Sequence, residues 1–158
     1  VFRPHRDVRF SKDKTPYKSH QGAVVLTSEG VGFYVQISGT GLLTAGGWYS
    51  PDSAQIAAFR GAVLNQPAGV KPAEELAKIV ADLESEGFEV TGDRLKTAPR
   101  GIDPNHKDIA LLRHKTLLTQ QDHGTPDWLP TAEVIDQVRE DWLTYRPLLS
   151  WLDKHLAS

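Results

Sequence analysis

The chain has 158 residues, 39% of them apolar and 24% charged, with a formal net charge of −2. That length supports one domain with a real core, and no apolar run approaches the roughly 20 residues that a membrane span requires. The chain holds no cysteine, which excludes disulfides, thiolate metal sites and cysteine nucleophiles and fits a reducing cytoplasm.

Residues 8–10 read as a short strand, and 11–16 as a polar loop stiffened by Pro16, whose ring also pushes Thr15 toward extended geometry. The chain has no methionine and opens at Val1 in extended structure, so its natural N-terminus is expected to lie upstream. Three strands are predicted next, over 22–27, 32–38 and 41–49, joined by Gly-containing segments of hairpin composition. Phe33, Val35 and Ile37 alternate with Tyr34, Gln36 and Ser38, the pattern of a sheet with one face on the core. Gly46-Gly47 interrupts the third strand, where glycine marks the close approach of either a packed helix or a ligand.

Ser50-Pro51 resembles a helix start, and Ile56, Phe59 and Val63 give the helix 51–64 one apolar face. A second helix is predicted over 72–86, with Leu76, Ile79, Val80 and Leu83 on one face and Gly87 as its stop. Residues 88–90 read as a short strand, 108–115 as a helix or helical turn, and 116–120 as a further strand. A long final helix, capped by Thr131, carries the stripe Val134, Val138, Trp142, Tyr145, Leu149, Leu152 and Leu156. Pro147 lies inside it and is expected to kink or split it near 144–146. The fold class that follows is α+β, an antiparallel β-meander with helices packed on one face, in a single domain.

The charge is sorted. Residues 1–18 and 94–115 together hold 12 of the 18 Lys and Arg but only four of the 20 Asp and Glu. A near-neutral protein arranged this way is suited to meeting an anion at one place. In the first block Lys12, Lys14 and Lys18 supply point charges, while Arg9 can fork two oxygens of a phosphate or carboxylate. In the second, Lys96, Arg100, Arg113 and Lys115 surround the turn signals Pro99-Gly101 and Asp103-Pro104. Arg100-Gly101 can offer a guanidinium and a bare backbone N–H to one oxygen. The alternative is a solvated face, or arginines that clamp neighbouring carbonyls.

The six histidines show no HxxxH or HExxH spacing, so no metal site is expected. His114, flanked by cations that depress its pKa, is the candidate base, with Asp13 as a second proton carrier. A structural histidine in a turn is the competing reading. Of Trp48 and Tyr49, one ring must face away from the other, and the outward one is where a nucleotide base would stack.

Arg9-Phe10-Ser11-Lys12-Asp13-Lys14-Thr15-Pro16-Tyr17-Lys18 resembles the signature of a bacterial and fungal family catalogued as domain of unknown function two-four-six-one. The likeness continues through Gly46-Gly47, Leu95-Lys96-Thr97-Ala98-Pro99-Arg100-Gly101, Leu111-Leu112-Arg113-His114-Lys115 and Arg146-Pro147-Leu148. The resemblance implies a shared fold along the whole chain and a further helical N-terminal segment ahead of it, which is expected to be missing here. It brings no cofactor or catalytic residue with it. The functional expectation therefore stays with the charge. The two blocks converge on an anionic, phosphate- or carboxylate-bearing small molecule, with binding alone or with transfer or hydrolysis. A nucleic-acid-binding domain is one alternative, opposed by the sequence pI near 6.3. A non-catalytic protein-interaction module is the other.

Overall fold

The computed structural model of the protein describes Val1 and residues 19–157. The expected strand at 8–10 and all of Arg9, Lys12, Asp13, Lys14 and Lys18 lie outside the described residues. The rest forms an α+β domain around a five-stranded antiparallel sheet, in the order β1-β2-β3-β5-β4. The strands are β1 (His20–Ser28), β2 (Val31–Ser38), β3 (Gly41–Trp48), β4 (Glu89–Thr91) and β5 (Leu117–Gly124). The helices are α1 (Ser53–Leu64), α2 (Pro72–Ser85), the single turn α3 (Ile109–Leu112) and α4 (Glu133–Leu156).

Side-chain alternation decides the layers. Val31, Leu42, Trp48 and Leu117 are fully buried beneath the helices, together with Phe59 and Val63 of α1, Leu76 of α2 and Leu148, Leu149 and Leu152 of α4. Neighbouring positions point to the opposite face, where Val24, Tyr34, Leu43, Tyr49 and Leu118 line a concave surface. Trp48 joins the two layers: its ring lies 5.5 Å from Phe59, which lies 5.8 Å from Trp151. Its indole N–H donates to Gln55 Oε1 at 3.2 Å, and Gln55 Nε2 donates to the Glu29 carbonyl at 2.7 Å, tying the β1–β2 turn to α1.

The glycine pair serves packing. A methyl on Gly46 would sit 3.1 Å from Leu149 Cδ1 and 3.2 Å from Tyr145 Cδ2, so its bareness lets α4 lie against the sheet. Gly47 has φ +135°, and a Cβ there would run into the Leu117 carbonyl. The pairing of β3 with β2 and β5 passes both glycines without a bulge.

Some boundaries differ from expectation. Helix α1 is capped by Asp52 rather than Ser50, because Asp52 accepts the Gln55 N–H at 2.7 Å while Gln55 Oε1 reaches back to the Asp52 N–H. Ala132 holds the N-cap of α4, and the Thr131 hydroxyl accepts the Glu133 N–H at 3.2 Å from just outside. Helix α4 is not split at Pro147 but runs continuously for 24 residues, about 36 Å at 1.5 Å per residue. What proline removes is one donor, the N–H that would have met the Leu143 carbonyl. No helix among the described residues is long and apolar enough to cross a membrane.

Candidate functional site

The second basic block forms a long excursion between β4 and β5. It is closed at its root by a bridge between Arg94 and His114, with the Leu95 N–H donating to the Arg113 carbonyl at 2.8 Å. The Asp93 carbonyl accepts the Lys115 N–H at 2.7 Å, and the Thr116 hydroxyl takes the Asp93 N–H at 2.7 Å. Arg113 holds this root from within: Nε donates to the Leu95 carbonyl at 2.7 Å and Nη2 to the Lys96 carbonyl at 3.0 Å. Of the two readings open for this arginine, the carbonyl clamp describes its contacts. From outside, Arg60 Nε donates to the Leu112 carbonyl at 3.3 Å.

On this fixed base Arg94, Lys96, Arg100 and Lys115 are all exposed. Among the described residues none of the four has a carboxylate within ion-pair distance, whereas Lys107 has Asp108 at 4.0 Å. Arg100 and Gly101 occupy the centre of a β-turn closed by the Ile102 N–H on the Pro99 carbonyl at 3.1 Å. Gly101 at φ +83° supplies the left-handed third position that a type II turn requires. The structure thus brings Arg94, Lys96, Arg113, His114 and Lys115 together at the root and sets Arg100 on the adjoining turn.

His114 is 6% exposed, and its Nδ1 lies 2.8 Å from the Thr116 carbonyl. A carbonyl only accepts, so Nδ1 carries the proton and Nε2 is the basic nitrogen. Burial pushes its pKa below the ordinary histidine value, and the Arg94 charge pushes the same way, against the opposing hydrogen bond to Thr116. The expected direction holds, with burial rather than the neighbouring cations as the main cause.

Beside this root the open face of the sheet is concave. A cavity of about 420 Å³ is lined by Val24, Tyr34, Leu43, Tyr49, Leu118 and Gln120, among others. Tyr49 is the outward ring of the Trp48-Tyr49 pair, 44% exposed while Trp48 is fully buried. Lys115 stands three residues before Leu118, so their Cα atoms are at most about 11 Å apart.

A second polar cluster, unforeseen in the sequence, lies under α4. Asp141 is 2% exposed, and its Oδ2 accepts from Thr44 Oγ1 and His123 Nε2, each at 2.6 Å, while Oδ1 accepts from Gln137 Nε2 at 3.0 Å. The Thr44 hydroxyl spends its proton on Asp141, so the Tyr145 O–H at 2.9 Å must donate to Thr44. Burial and the Asp141 charge push the Tyr145 phenol far above its ordinary pKa. Three donors on one buried carboxylate join β3, β5 and α4, which is what a structural tie needs. Among the described residues no group of three or more His, Asp or Glu side chains is placed to hold a metal ion.

The two basic blocks attach to the sheet at diagonal corners. The first joins at Ser19, next to the His20–Ser38 pair on the β1 edge. The second leaves from the opposite strand ends, beyond Trp48–Leu117 and beside the β4 edge. A family model described as a conserved hypothetical protein, DUF2461, matches residues 1–151. No curated protein and no solved structure matches the chain.

Proposed function

We propose that the chain, which belongs to the DUF2461 family of conserved hypothetical proteins, binds an anionic small molecule bearing phosphate or carboxylate at the loop 94–115. The observation that carries this reading is the set of four exposed cations, Arg94, Lys96, Arg100 and Lys115, without carboxylate partners among the described residues, on a backbone held in place by Arg113 and Thr116. Like charges held close repel one another, and a bound anion relieves that repulsion. Arg100 and the Gly101 N–H, which no described acceptor takes, offer a fork and a backbone donor to one oxygen. Arg113 acts as a positioning residue. His114, neutral and with Nε2 as its basic nitrogen, is the group to move a proton if the ligand is transformed. The body of the ligand has the open-face cavity beside Tyr49 and Leu118 to occupy. Arg9, Lys12, Lys14, Lys18 and Asp13 complete the site only if the first block crosses the sheet to reach it.

The test is a thermal-shift panel of nucleotides, sugar phosphates, dicarboxylates and short oligonucleotides at low and physiological salt. Small anions should raise the melting temperature selectively and lose part of the effect with salt, since screening acts over about 8 Å at physiological ionic strength. The variant Lys96→Gln/Arg100→Gln/Lys115→Gln should melt like the parent and respond to none of them. Equal response of parent and variant, or a steep salt slope with preference for oligonucleotides alone, would overturn the reading.

A further inference from the structure

Helix α4 turns a second surface outward, away from the basic loop. Ile135 is 69% exposed and Leu143 54%, with Val138 and Trp142 half-buried between them. Trp142 stacks on Phe33 at 5.3 Å and donates its indole N–H to the Tyr34 carbonyl at 3.2 Å, so the floor is anchored to β2. The result is a groove of about 600 Å³ between the strands and α4, lined on the strand side by Thr27 and Phe33.

Two further features define what fits. Arg139 and Arg146 line the groove, both are exposed, and neither has a carboxylate partner among the described residues. Seven positions apart on one helix, they stand about 10.5 Å from each other along its axis. Beside them runs β1, an edge strand of nine residues, HQGAVVLTS, with no charge and no proline. Among the described residues only β2 pairs with it, and Val25 and Leu26 are 51% and 56% exposed. Sheet edges are ordinarily guarded by lysine, proline or short length. This one carries a bulge between Leu26 and Ser28 and otherwise offers, among the described residues, an unpaired ladder beside an apolar floor and two guanidinium groups without carboxylate partners.

The geometry points to docking of an extended acidic peptide from another protein, added as a strand to β1 with alternate side chains turned into the α4 groove. Backbone pairing would supply register, and the apolar floor would hold the non-acidic side chains. Alternate residues of an added strand recur every roughly 6.8 Å, so acids two or four positions apart bracket the Arg139–Arg146 spacing. A second copy related by a twofold axis would bring its own Arg139 and Arg146 to the same groove, charge against like charge. An anionic membrane, laid broadly over the helix, would also meet the exposed Glu133, Asp136 and Glu140. A single peptide strand reaches only the groove, whose lining includes Arg139 and Arg146 and none of these acids.

The probe is a short blocked peptide of alternating Val and Glu carrying a fluorophore, read by polarisation on the full chain. Three controls accompany it: the Val/Lys counterpart, the Val/Glu peptide N-methylated at alternate residues, and the variant Arg139→Glu/Arg146→Glu. The Val/Glu peptide should bind, the N-methylated one should fail, and the double variant should lose about tenfold in affinity at low salt and turn its preference to Val/Lys. Both arginines are exposed, so an unchanged melting temperature will show that the variant is folded. Equal binding of the two charge types, undiminished binding of the N-methylated peptide, or no binding at all would overturn the proposal. Self-association of the chain that the peptide competes away would assign the groove to a second copy and overturn it as well.

Discussion

The buried Asp141 carboxylate accepts three side-chain hydrogen bonds, and its removal should be correspondingly expensive. Asp141→Ala leaves the buried Thr44 hydroxyl and the half-buried His123 and Gln137 without their acceptor. Loss of one partner from such a buried pair costs about 3–5 kcal/mol, measurable as a shift of the urea midpoint. Thr119 presents the converse case. It is fully buried, and its hydroxyl has no hydrogen-bond partner among the described residues, so Thr119→Val keeps the shape and removes the unsatisfied group. That variant should be as stable as the parent or more so by up to about 1 kcal/mol, and a clear loss would mean that the hydroxyl is bonded in solution.

His114 adds a pH dependence. Its folded pKa lies below the unfolded value, so the unfolded chain takes up the proton first as pH falls. The stability His114 contributes is complete above the ordinary histidine pKa of about 6.5 and drains away as pH drops toward the folded value. Denaturation followed from pH 7.5 down to pH 5, about 2.5 units spanning that pKa, should show a declining midpoint. His114→Asn should flatten part of that decline. The remainder belongs in part to His155, lowered by burial and by Lys154 against the pull of Glu75.

At the scale of elements, the approach of α4 to β3 is the joint on which the layers depend. Gly47→Ala forces a methyl onto the Leu117 carbonyl at φ +135° and should cost about 1–3 kcal/mol or more. Gly46→Ala meets side-chain atoms of Leu149 and Tyr145 that can shift by a few tenths of an ångström, so its loss should be the smaller of the two by thermal melting. Most of this layer structure was legible in the sequence, because strand alternation at Phe33–Ile37 and helical spacing at Leu76–Leu83 are local patterns. The cap of α1 was misplaced by two residues, since Ser50 and Asp52 are both good caps and only the reach of Gln55 back to Asp52 separates them. The buried cluster was not legible at all. Thr44 and Asp141 are 97 positions apart, and nothing local to either says that β3 and α4 will face each other there. In the periodic stripe, too, Trp142 was grouped with the core, yet Asp141 is the more deeply buried of the two, because a charge satisfied by three donors can take a core position.

The described basic loop lies beyond one end of the sheet on the β4 side, while Arg139 and Arg146 accompany the β1 edge, so a small anion and an acidic peptide would use separate surfaces. The corners at which the two basic blocks join are separated by roughly 30 Å, taking strand rise along the sheet and strand spacing across it. On the proposed reading, residues 94–115 bind the anion by themselves unless the first block crosses that distance. Amide chemical-shift mapping with pyrophosphate decides this most directly. The account predicts saturable shifts at Arg94, Lys96, Arg100, Gly101 and Lys115, spreading to Tyr49 and Leu118, and their disappearance in Lys96→Gln/Arg100→Gln/Lys115→Gln. Saturation with every amide of 94–115 unmoved would contradict it.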